Sequence, residues 1–178
     1  MQKYPYDIII TFDDDTIYEK TTVKSLYYNY LKYPNSISAR RVNLIMFNKT
    51  NNKVLTYDKW IKDYTLLKIP SFDLLATGVG GILYPPNILN IHYSLIYEFY
   101  NCLTSDDLYL KYREILLKIK TVWVPNNYLL GIKPIYKNGL YNGENIKNND
   151  ICLEYIKNFK KPIKTKLKLK LKNIFKIT

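Results

Sequence analysis

The sequence predicts an α/β fold, in which short buried strands and amphipathic helices alternate along the chain. Short runs of β-branched and aromatic residues, such as 8–12 and 42–47, are typical of buried strands. Longer segments, such as 22–33 and 105–119, carry apolar residues at helical spacing. Pro and Gly residues follow several of these segments, and they mark the expected ends of the elements.

The elements can be assigned in order from these patterns. The first strand, 8–12, is followed by a helix over 22–33, which Pro34 ends. A strand over 42–47 and a turn rich in Asn and Lys predict a hairpin that returns over 54–57. The apolar face of the first helix is expected to contain Val23, Leu26, Tyr27, Tyr30 and Leu31. The later elements are expected to be a short helix or turn at 58–64, an apolar segment at 72–76, a glycine loop at 77–81, a strand at 82–84, helices at 88–103 and 105–119, a strand at 121–124, a loop-rich stretch at 126–149 and a helix at 150–159.

The composition is that of one folded domain. Hydrophobic residues make up 47% of the 178 residues, which is enough for a sizeable core. No apolar run is long enough for a transmembrane helix, and residues 1–7 lack the apolar segment of a secretory signal. We therefore expect a cytoplasmic protein. Cys102 and Cys152 form no C-x-x-C motif, which favours reduced, buried thiols over a disulfide or a zinc site.

Basic charge is concentrated near the C-terminus. The formal net charge is +12, and nine lysines lie in residues 157–178 without any acidic residue, so residues 1–156 are only mildly basic. We therefore divide the chain into a main part, 1–159, and a basic amphipathic tail, 160–178. The apolar residues of the tail fit both helical and strand spacing. Such a tail can lie on an anionic membrane, attract nucleic acid or stay solvated. No groove-reading motif is present, so no specific nucleic-acid partner is expected.

Asp13, Asp14 and Asp15 directly follow the first predicted strand. Acidic residues at the carboxyl end of a strand lie where open α/β folds bind ligands. Adjacent carboxylates repel one another, and a hard dication such as Mg²⁺ or Mn²⁺ relieves that repulsion. The alternative is an acidic turn in which one Asp caps the following helix.

Other polar features follow at later positions. Asp106 and Asp107 open a predicted helix, where carboxylates either serve chemistry or only complement the helix dipole. Arg40 and Arg41 face either solvent, a phosphate or the acidic residues. The glycines of 77–81 form either a tight turn or a place where backbone and ligand approach closely.

The order of these features resembles the C-terminal half of bacterial GT-A-type glycosyltransferases, which use nucleotide sugars in surface polysaccharide synthesis. The segments that carry the resemblance, within about residues 1–128, are IIITFDDDTIY, SARRVNLI, YDKW, TGVGGILYPPNIL and SDDLYLKYREILLKIKTVWV. The resemblance implies a partial GT-A, Rossmann-like mixed sheet with flanking helices. It also implies that the N-terminal nucleotide-binding βαβ half is lacking, so that either another polypeptide supplies it or the reading frame is truncated.

The resemblance implies donor-side roles for the first acidic residues. Asp13, Asp14 and Asp15 match the Asp-x-Asp motif of the family, so Asp13 and Asp15 would hold Mn²⁺ or Mg²⁺ on the donor diphosphate. A dication there stabilises the negative charge that builds on the leaving group. Arg40 would assist in binding the diphosphate. The donor would be a nucleoside-diphosphate sugar, with a UDP-sugar favoured.

The resemblance also implies acceptor-side roles. Asp107, or its neighbour Asp106, would deprotonate the acceptor hydroxyl in an inverting reaction. Gly80 and Gly81 would let the backbone approach the sugar, and Trp60 would either stack on a sugar face or pack in the core. The acceptor would be a glycan or a lipid-linked hydroxyl, and the enzyme would lie on the inner face of the cytoplasmic membrane.

Two departures from the family, the missing N-terminal half and the position of the histidine, keep other interpretations open. Many such enzymes have a metal-binding His after the acceptor-side acid, whereas the single histidine here, His92, lies upstream and is expected to pack on its helix. An inactive glycosyltransferase remnant is therefore one alternative. A haloacid-dehalogenase-type Mg²⁺-dependent phosphatase is another, although Ile17 stands where that family usually has Thr or Val.

Overall fold

The computed structural model of the chain describes residues 3–51, 53–91, 102, 105–125 and 144–158, and these form an α/β structure with a mixed sheet and flanking helices. The strands are β1 (Ile9–Thr11), β2 (Ser36–Ala39), β3 (Val42–Leu44), β4 (Leu74–Ala76), β5 (Ile82–Tyr84) and β6 (Lys120–Trp123). The helices are α1 (Thr22–Lys32), α2 (Asp106–Leu117) and α3 (Glu144–Asn158). Single 3₁₀ turns lie at Tyr57–Lys59 and Gly78–Gly80.

The main sheet has the strand order β1-β5-β2-β6. Strand β5 pairs antiparallel with both β1 and β2, whereas β2 pairs parallel with β6. Strands β1, β2 and β6 therefore run in the same direction, and their C-terminal ends lie at the same edge as the beginning of β5. This topology places the acidic residues after β1, the arginines after β2 and the glycine turn before β5 at one edge of the sheet.

A second sheet is formed by β3 and β4, which pair antiparallel with Val42 opposite Ala76 and Leu44 opposite Leu74. Ser71, shortly before β4, exchanges two backbone hydrogen bonds with Thr121 of β6, at 2.8 and 3.0 Å. The two sheets are therefore tied together at the β6 side.

The core lies on both faces of the main sheet. Successive side chains of a strand point to opposite faces, and β5 shows this directly. Leu83 packs with Leu26 of α1 on one face, whereas Ile82 and Tyr84 pack with the second sheet on the other. A further cluster contains side chains of α2, α3 and the segment 45–60, including Ile45, Trp60, Tyr109, Tyr112 and Cys152.

Strand β2 is the main element that the sequence did not predict. It reads Ser-Ile-Ser-Ala and lies between β5 and β6 with all its residues buried. Small and hydroxyl-bearing residues have little strand propensity, so the strand is defined by its neighbours rather than by its own composition.

Helix α1 forms at the predicted place, but it turns a different face toward the sheet. Leu26 is fully buried, and Asn29 donates a hydrogen bond to Ser38 Oγ at 2.9 Å. Because apolar residues cover a wide arc of this helix, helical spacing alone does not decide which stripe packs inward. The residues of the expected buried face that are instead exposed are Val23, Tyr27 and Leu31.

The later elements agree with the predictions only in part. The strands at 82–84 and 121–124 and the helix after Ser105 are confirmed, with observed bounds within two residues of those expected. Residues 87–90 form a turn rather than the start of a helix, and Asn87 has a positive φ of 45°. Most of the remainder of that expected helix, most of 126–149 and the tail 160–178 lie outside the described residues. Helix α3 begins at Glu144, before the expected 150.

The prediction of reduced thiols is wrong. Cys102 and Cys152 form a disulfide with a Cα–Cα distance of 5.0 Å, and both residues are buried. The bond joins the segment before α2 to the middle of α3. A separation of fifty residues in the sequence does not predict that the two cysteines lie close together. They are close because α3 packs near the segment before α2.

Among the described residues, no helix combines the length and the apolar character that crossing a membrane requires.

Candidate active site

The acidic loop after β1 is closed by two contacts of Tyr18. The backbone N–H of Asp13 donates to the Tyr18 hydroxyl oxygen at 2.9 Å, and the Tyr18 ring packs edge-on against Phe12 at 4.7 Å between centroids. Asp14 is exposed, whereas Asp15 is half-buried and accepts a hydrogen bond from Thr16 Oγ1 at 3.3 Å. The loop therefore curls back beyond the end of the strand and holds Asp13 at the sheet edge.

The glycine turn packs directly against this loop. A Cβ at Gly78 would lie 2.6 Å from Asp13 Oδ1, so only glycine allows the carboxylate to lie so close. A Cβ at Gly80 would lie 2.6 Å from the backbone nitrogen of Arg41. Gly81 has a φ of +84°, and a Cβ there would lie 2.8 Å from the Phe12 ring. Each glycine thus permits a close approach between neighbouring parts of the site.

The first turn of α2 completes the acidic cluster. The backbone N–H of Gly78 donates to Asp107 Oδ1 at 3.3 Å. Burial, followed by the negative charges of Asp106 and Asp13, raises the pKa of Asp107 to about 8, against the opposing effects of the Gly78 hydrogen bond and Arg41. Burial is also the largest cause of the raised pKa of Asp13, followed by the charges of Asp15, Asp106 and Asp14. The structure therefore brings the two predicted acidic groups into one electrostatic cluster.

Arg41 is the cation of this cluster. Its positive charge lowers the pKa of both Asp13 and Asp107, although the acidic and burial effects outweigh it. Its guanidinium forms an ion pair with Asp63, whose backbone has a positive φ of 50° and donates its N–H to Asn43 Oδ1 at 3.1 Å. The segment after β3 thus positions Arg41 from the side of the second sheet.

Arg40, the arginine expected to bind the diphosphate, lies elsewhere. Its side chain is buried, with Nη2 2.7 Å from Glu19 Oε2 and Nη1 bonded to Thr22. Its carbonyl accepts a hydrogen bond from Trp123 Nε1 at 3.1 Å. Adjacent residues of an extended chain point to opposite sides, so only one of the two arginines can face the acids. The structure corrects the expectation from Arg40 to Arg41.

Trp60 has a packing role and presents no open face to a sugar. It is 4% exposed, its Nε1 donates to the Leu55 carbonyl at 3.1 Å, and its ring packs against Tyr57 with centroids 5.1 Å apart. Trp60 therefore packs in the core, as one of the two interpretations expected, and it does not offer a face on which a sugar could stack.

Lys62 is a polar group near the site that no sequence pattern indicated. Its Nζ lies 3.1 Å from the centroid of the Tyr57 ring and donates to the Tyr57 carbonyl at 2.9 Å. Burial, followed by the charge of Arg41, lowers the pKa of Lys62 to about 8. Lys62 therefore lies within electrostatic range of Arg41, the cation that affects Asp13 and Asp107.

The fit of a dication was assessed from the donor atoms that the site provides. In the described part of the chain, no group of three or more His, Cys, Asp or Glu side chains is arranged to hold a metal ion, and His92 lies outside that part. Burial raises the pKa of Asp13 and of Asp107, and neighbouring carboxylates raise each pKa further, so negative charge is concentrated at this edge of the sheet. Mg²⁺ commonly binds through one or two carboxylates together with substrate phosphates and water, so the oxygen donors fit such an ion.

Comparison of the chain with protein-family models, with curated proteins and with solved structures gives no match. The glycosyltransferase resemblance therefore stays an expectation drawn from the motifs.

Proposed function

We propose that this chain is the catalytic and acceptor part of a GT-A-like glycosyltransferase. It would transfer a sugar from a nucleoside-diphosphate sugar, with a UDP-sugar favoured, to a hydroxyl of a glycan or lipid-linked acceptor. The observation that carries the proposal is the convergence of Asp13 and Asp107 on Gly78. One carboxylate packs against the glycine and the other accepts its N–H at 3.3 Å.

On the donor side, Asp13 and Asp15 would hold Mn²⁺ or Mg²⁺, and Asp14 would add negative charge to the same loop. A bound dication supplies charge neutralisation to the departing nucleoside diphosphate. Tyr18 fixes the backbone of Asp13 through the 2.9 Å hydrogen bond and thereby orients the carboxylate. Arg41 lies beside the acids and offers a second positive charge to the diphosphate.

On the acceptor side, Asp107 takes the proton of the attacking hydroxyl. A general base works best when its pKa lies near the working pH, and the pKa of Asp107 is raised to about 8. Asp106 contributes to that elevation through its charge. Because Asp107 is only half-buried, a hydroxyl of an acceptor can reach it from solvent.

A lipid-linked acceptor would lie at a membrane surface, and we propose the cytoplasmic face of the membrane as the place of the reaction. The tail 160–178, with its lysines and apolar residues, would assist in holding the protein on an anionic surface. No specific nucleic-acid partner is proposed.

Calorimetry with Mn²⁺ and UDP tests the proposal. The full chain is titrated with UDP in the presence of Mn²⁺, and heat of binding is expected that disappears without the metal. Asp13→Asn/Asp15→Asn should lower the affinity for UDP at least about tenfold, because metal ligands are lost. Asp7 is an exposed acid before the other end of β1, so Asp7→Asn is the matched control and should bind as the parent does. A titration without heat would favour the inactive remnant over an active enzyme, and equal binding by all variants would contradict the metal-binding roles of Asp13 and Asp15.

A further inference from the structure

We propose that the outward-facing side of α1 is a docking surface for an anionic lipid membrane. This α1 outer face consists of Val23, Lys24, Tyr27, Tyr28, Leu31 and Lys32. The proposal goes beyond the glycosyltransferase proposal and does not depend on it, because it rests on a surface distinct from the acidic cluster.

The apolar part of the α1 outer face is continuous along the helix. Val23, Tyr27 and Leu31 follow one another at intervals of four residues, and Tyr28 lies beside them. These four side chains are each between 45% and 59% exposed. From the first to the last the stripe is about 12 Å long, since an α-helix rises about 1.5 Å per residue. A helix on a globular domain usually turns such a stripe toward the core, and a contiguous exposed stripe indicates an interaction site.

The charged part of the α1 outer face has one sign. No acidic residue occurs within α1, and Lys24 and Lys32 are exposed. The Nζ of Lys24 lies 5.7 Å from the centroid of the Tyr28 ring, so the ammonium stands above the aromatic surface. The preceding acid, Glu19, is neutralised by its ion pair with Arg40. The face therefore presents apolar and aromatic side chains together with uncompensated positive charge.

An anionic bilayer matches this combination. Apolar side chains of an interfacial helix enter the boundary between headgroups and acyl chains, while lysine stems extend their ammonium groups to the phosphates. Tyrosine is favoured at that depth because its ring is apolar and its hydroxyl is polar. A second copy of the chain fits less well, because a two-fold interface would bring the lysines of both copies into the same contact. A nucleic acid would match the lysines but would leave the apolar stripe in water.

Docking in this manner would bring the acidic edge of the sheet near the membrane. Arg40, which follows β2, is bonded to Thr22 in the first turn of α1. The beginning of the α1 outer face therefore lies toward the same edge of the sheet as the acidic residues.

Vesicle sedimentation tests the proposal on the full chain. The probe is vesicles of equal parts phosphatidylcholine and phosphatidylglycerol, compared with pure phosphatidylcholine. Lys24→Gln/Lys32→Gln should weaken binding to the anionic vesicles by roughly fivefold per lysine. Val23→Ser/Tyr27→Ser/Leu31→Ser should weaken it by about tenfold or more, through loss of buried apolar area. Leu66→Ser/Ile69→Ser, which removes exposed apolar side chains elsewhere, should bind as the parent does.

The lysines of the tail 160–178 could also bind anionic vesicles, so the test must separate their effect from that of the α1 outer face. If both α1 variants bind anionic vesicles as tightly as the parent, the tail alone accounts for binding and the proposal is overturned. It is also overturned if the variants change only self-association or only the affinity for duplex DNA. The glutamine variant keeps the test valid if the serine variant fails to fold, as judged by circular dichroism.

Discussion

The backbone N–H of Gly78 donates a hydrogen bond to Asp107 Oδ1 at 3.3 Å, and the same glycine leaves room for the carboxylate of Asp13. One residue without a side chain thus separates two carboxylates that belong to distant parts of the sequence. The close approach explains why the charge of Asp13 raises the pKa of Asp107, in addition to the larger effects of burial and of Asp106.

Gly78→Ala is expected to weaken metal binding without unfolding the protein. The added Cβ would lie 2.6 Å from Asp13 Oδ1, so the carboxylate must move. Displacing a ligand from its position typically costs about ten- to a hundredfold in metal affinity. The loss of the electron paramagnetic resonance signal of free Mn²⁺ measures this binding. Val79→Ala adds no atom beside Asp13 and should bind Mn²⁺ as the parent does; equal affinities in all three proteins would contradict the assigned role of Gly78.

The pKa of Asp107 predicts a pH dependence of stability. Its pKa is raised from 3.8 to about 8, so the folded protein keeps a proton that the unfolded chain loses. The contribution of Asp107 to stability is fully present below the pKa of this group in the unfolded chain, and it is lost as the pH rises through its pKa in the folded protein. The free energy of unfolding therefore falls between about pH 4 and about pH 8.

Asp107→Asn should remove this part of the decline, because an amide has no proton to lose in this range. The variant is therefore expected to be more stable than the parent above about pH 8, and the difference should shrink as the pH is lowered. Urea unfolding at a series of pH values gives both profiles. Parallel profiles of parent and variant would show that Asp107 titrates normally.

The sequence was informative where apolar periodicity and burial agree. Strands β1, β5 and β6 and helix α2 were predicted because each combines a suitable pattern with an element boundary. Strand β2 was missed because Ser36 and Ser38 give it no strand-like composition. Its stability comes from neighbours on both sides and from the hydrogen bond that Asn29 donates to Ser38. The same contact helps to determine which face of α1 points inward, so the prediction of that face was wrong as well.

The candidate site was predictable in its acids but not in its cation. Asp13, Asp106 and Asp107 stand out in sequence because acidic residues directly follow a strand or open a helix. Which of Arg40 and Arg41 faces the acids depends on the alternation of side chains at the end of β2. Because this strand was not predicted, the alternation could not be used to choose between them. The contact of Lys62 with Tyr57 likewise follows from the turn after Tyr57, which only the three-dimensional packing determines.

A buried ion pair fixes α2 against β6. Lys111 Nζ lies 2.6 Å from Glu114 Oε2, and the same oxygen accepts from Thr121 Oγ1 at 2.7 Å, with both charged side chains 3% exposed. Glu114→Gln leaves the ammonium of Lys111 without its counter-charge and should lower the free energy of unfolding by about 3–5 kcal/mol. Urea unfolding measures the change.

The double variant Lys111→Met/Glu114→Gln is the control for this ion pair. Because it removes both charges, it should recover part of the stability that Glu114→Gln loses. A loss below about 1 kcal/mol in Glu114→Gln, which is the range of an exposed pair, would contradict the buried geometry.

The disulfide should contribute measurably to stability. Cys102→Ser/Cys152→Ser is expected to lower the free energy of unfolding by about 2–4 kcal/mol, because the closed loop no longer restricts the unfolded chain. Thiol titration of the unfolded, unreduced parent should find no free thiol. Two reactive thiols per chain in protein purified without reductant would contradict the bond.

The most direct test of the proposed chemistry is a crystal structure of the full chain with Mn²⁺ and UDP, in which anomalous scattering locates the metal. The metal is expected between the diphosphate and the carboxylates of Asp13 and Asp15. A metal peak remote from these residues, or a nucleotide bound without contact to them, would contradict the proposal that the acidic loop after β1 serves the donor diphosphate.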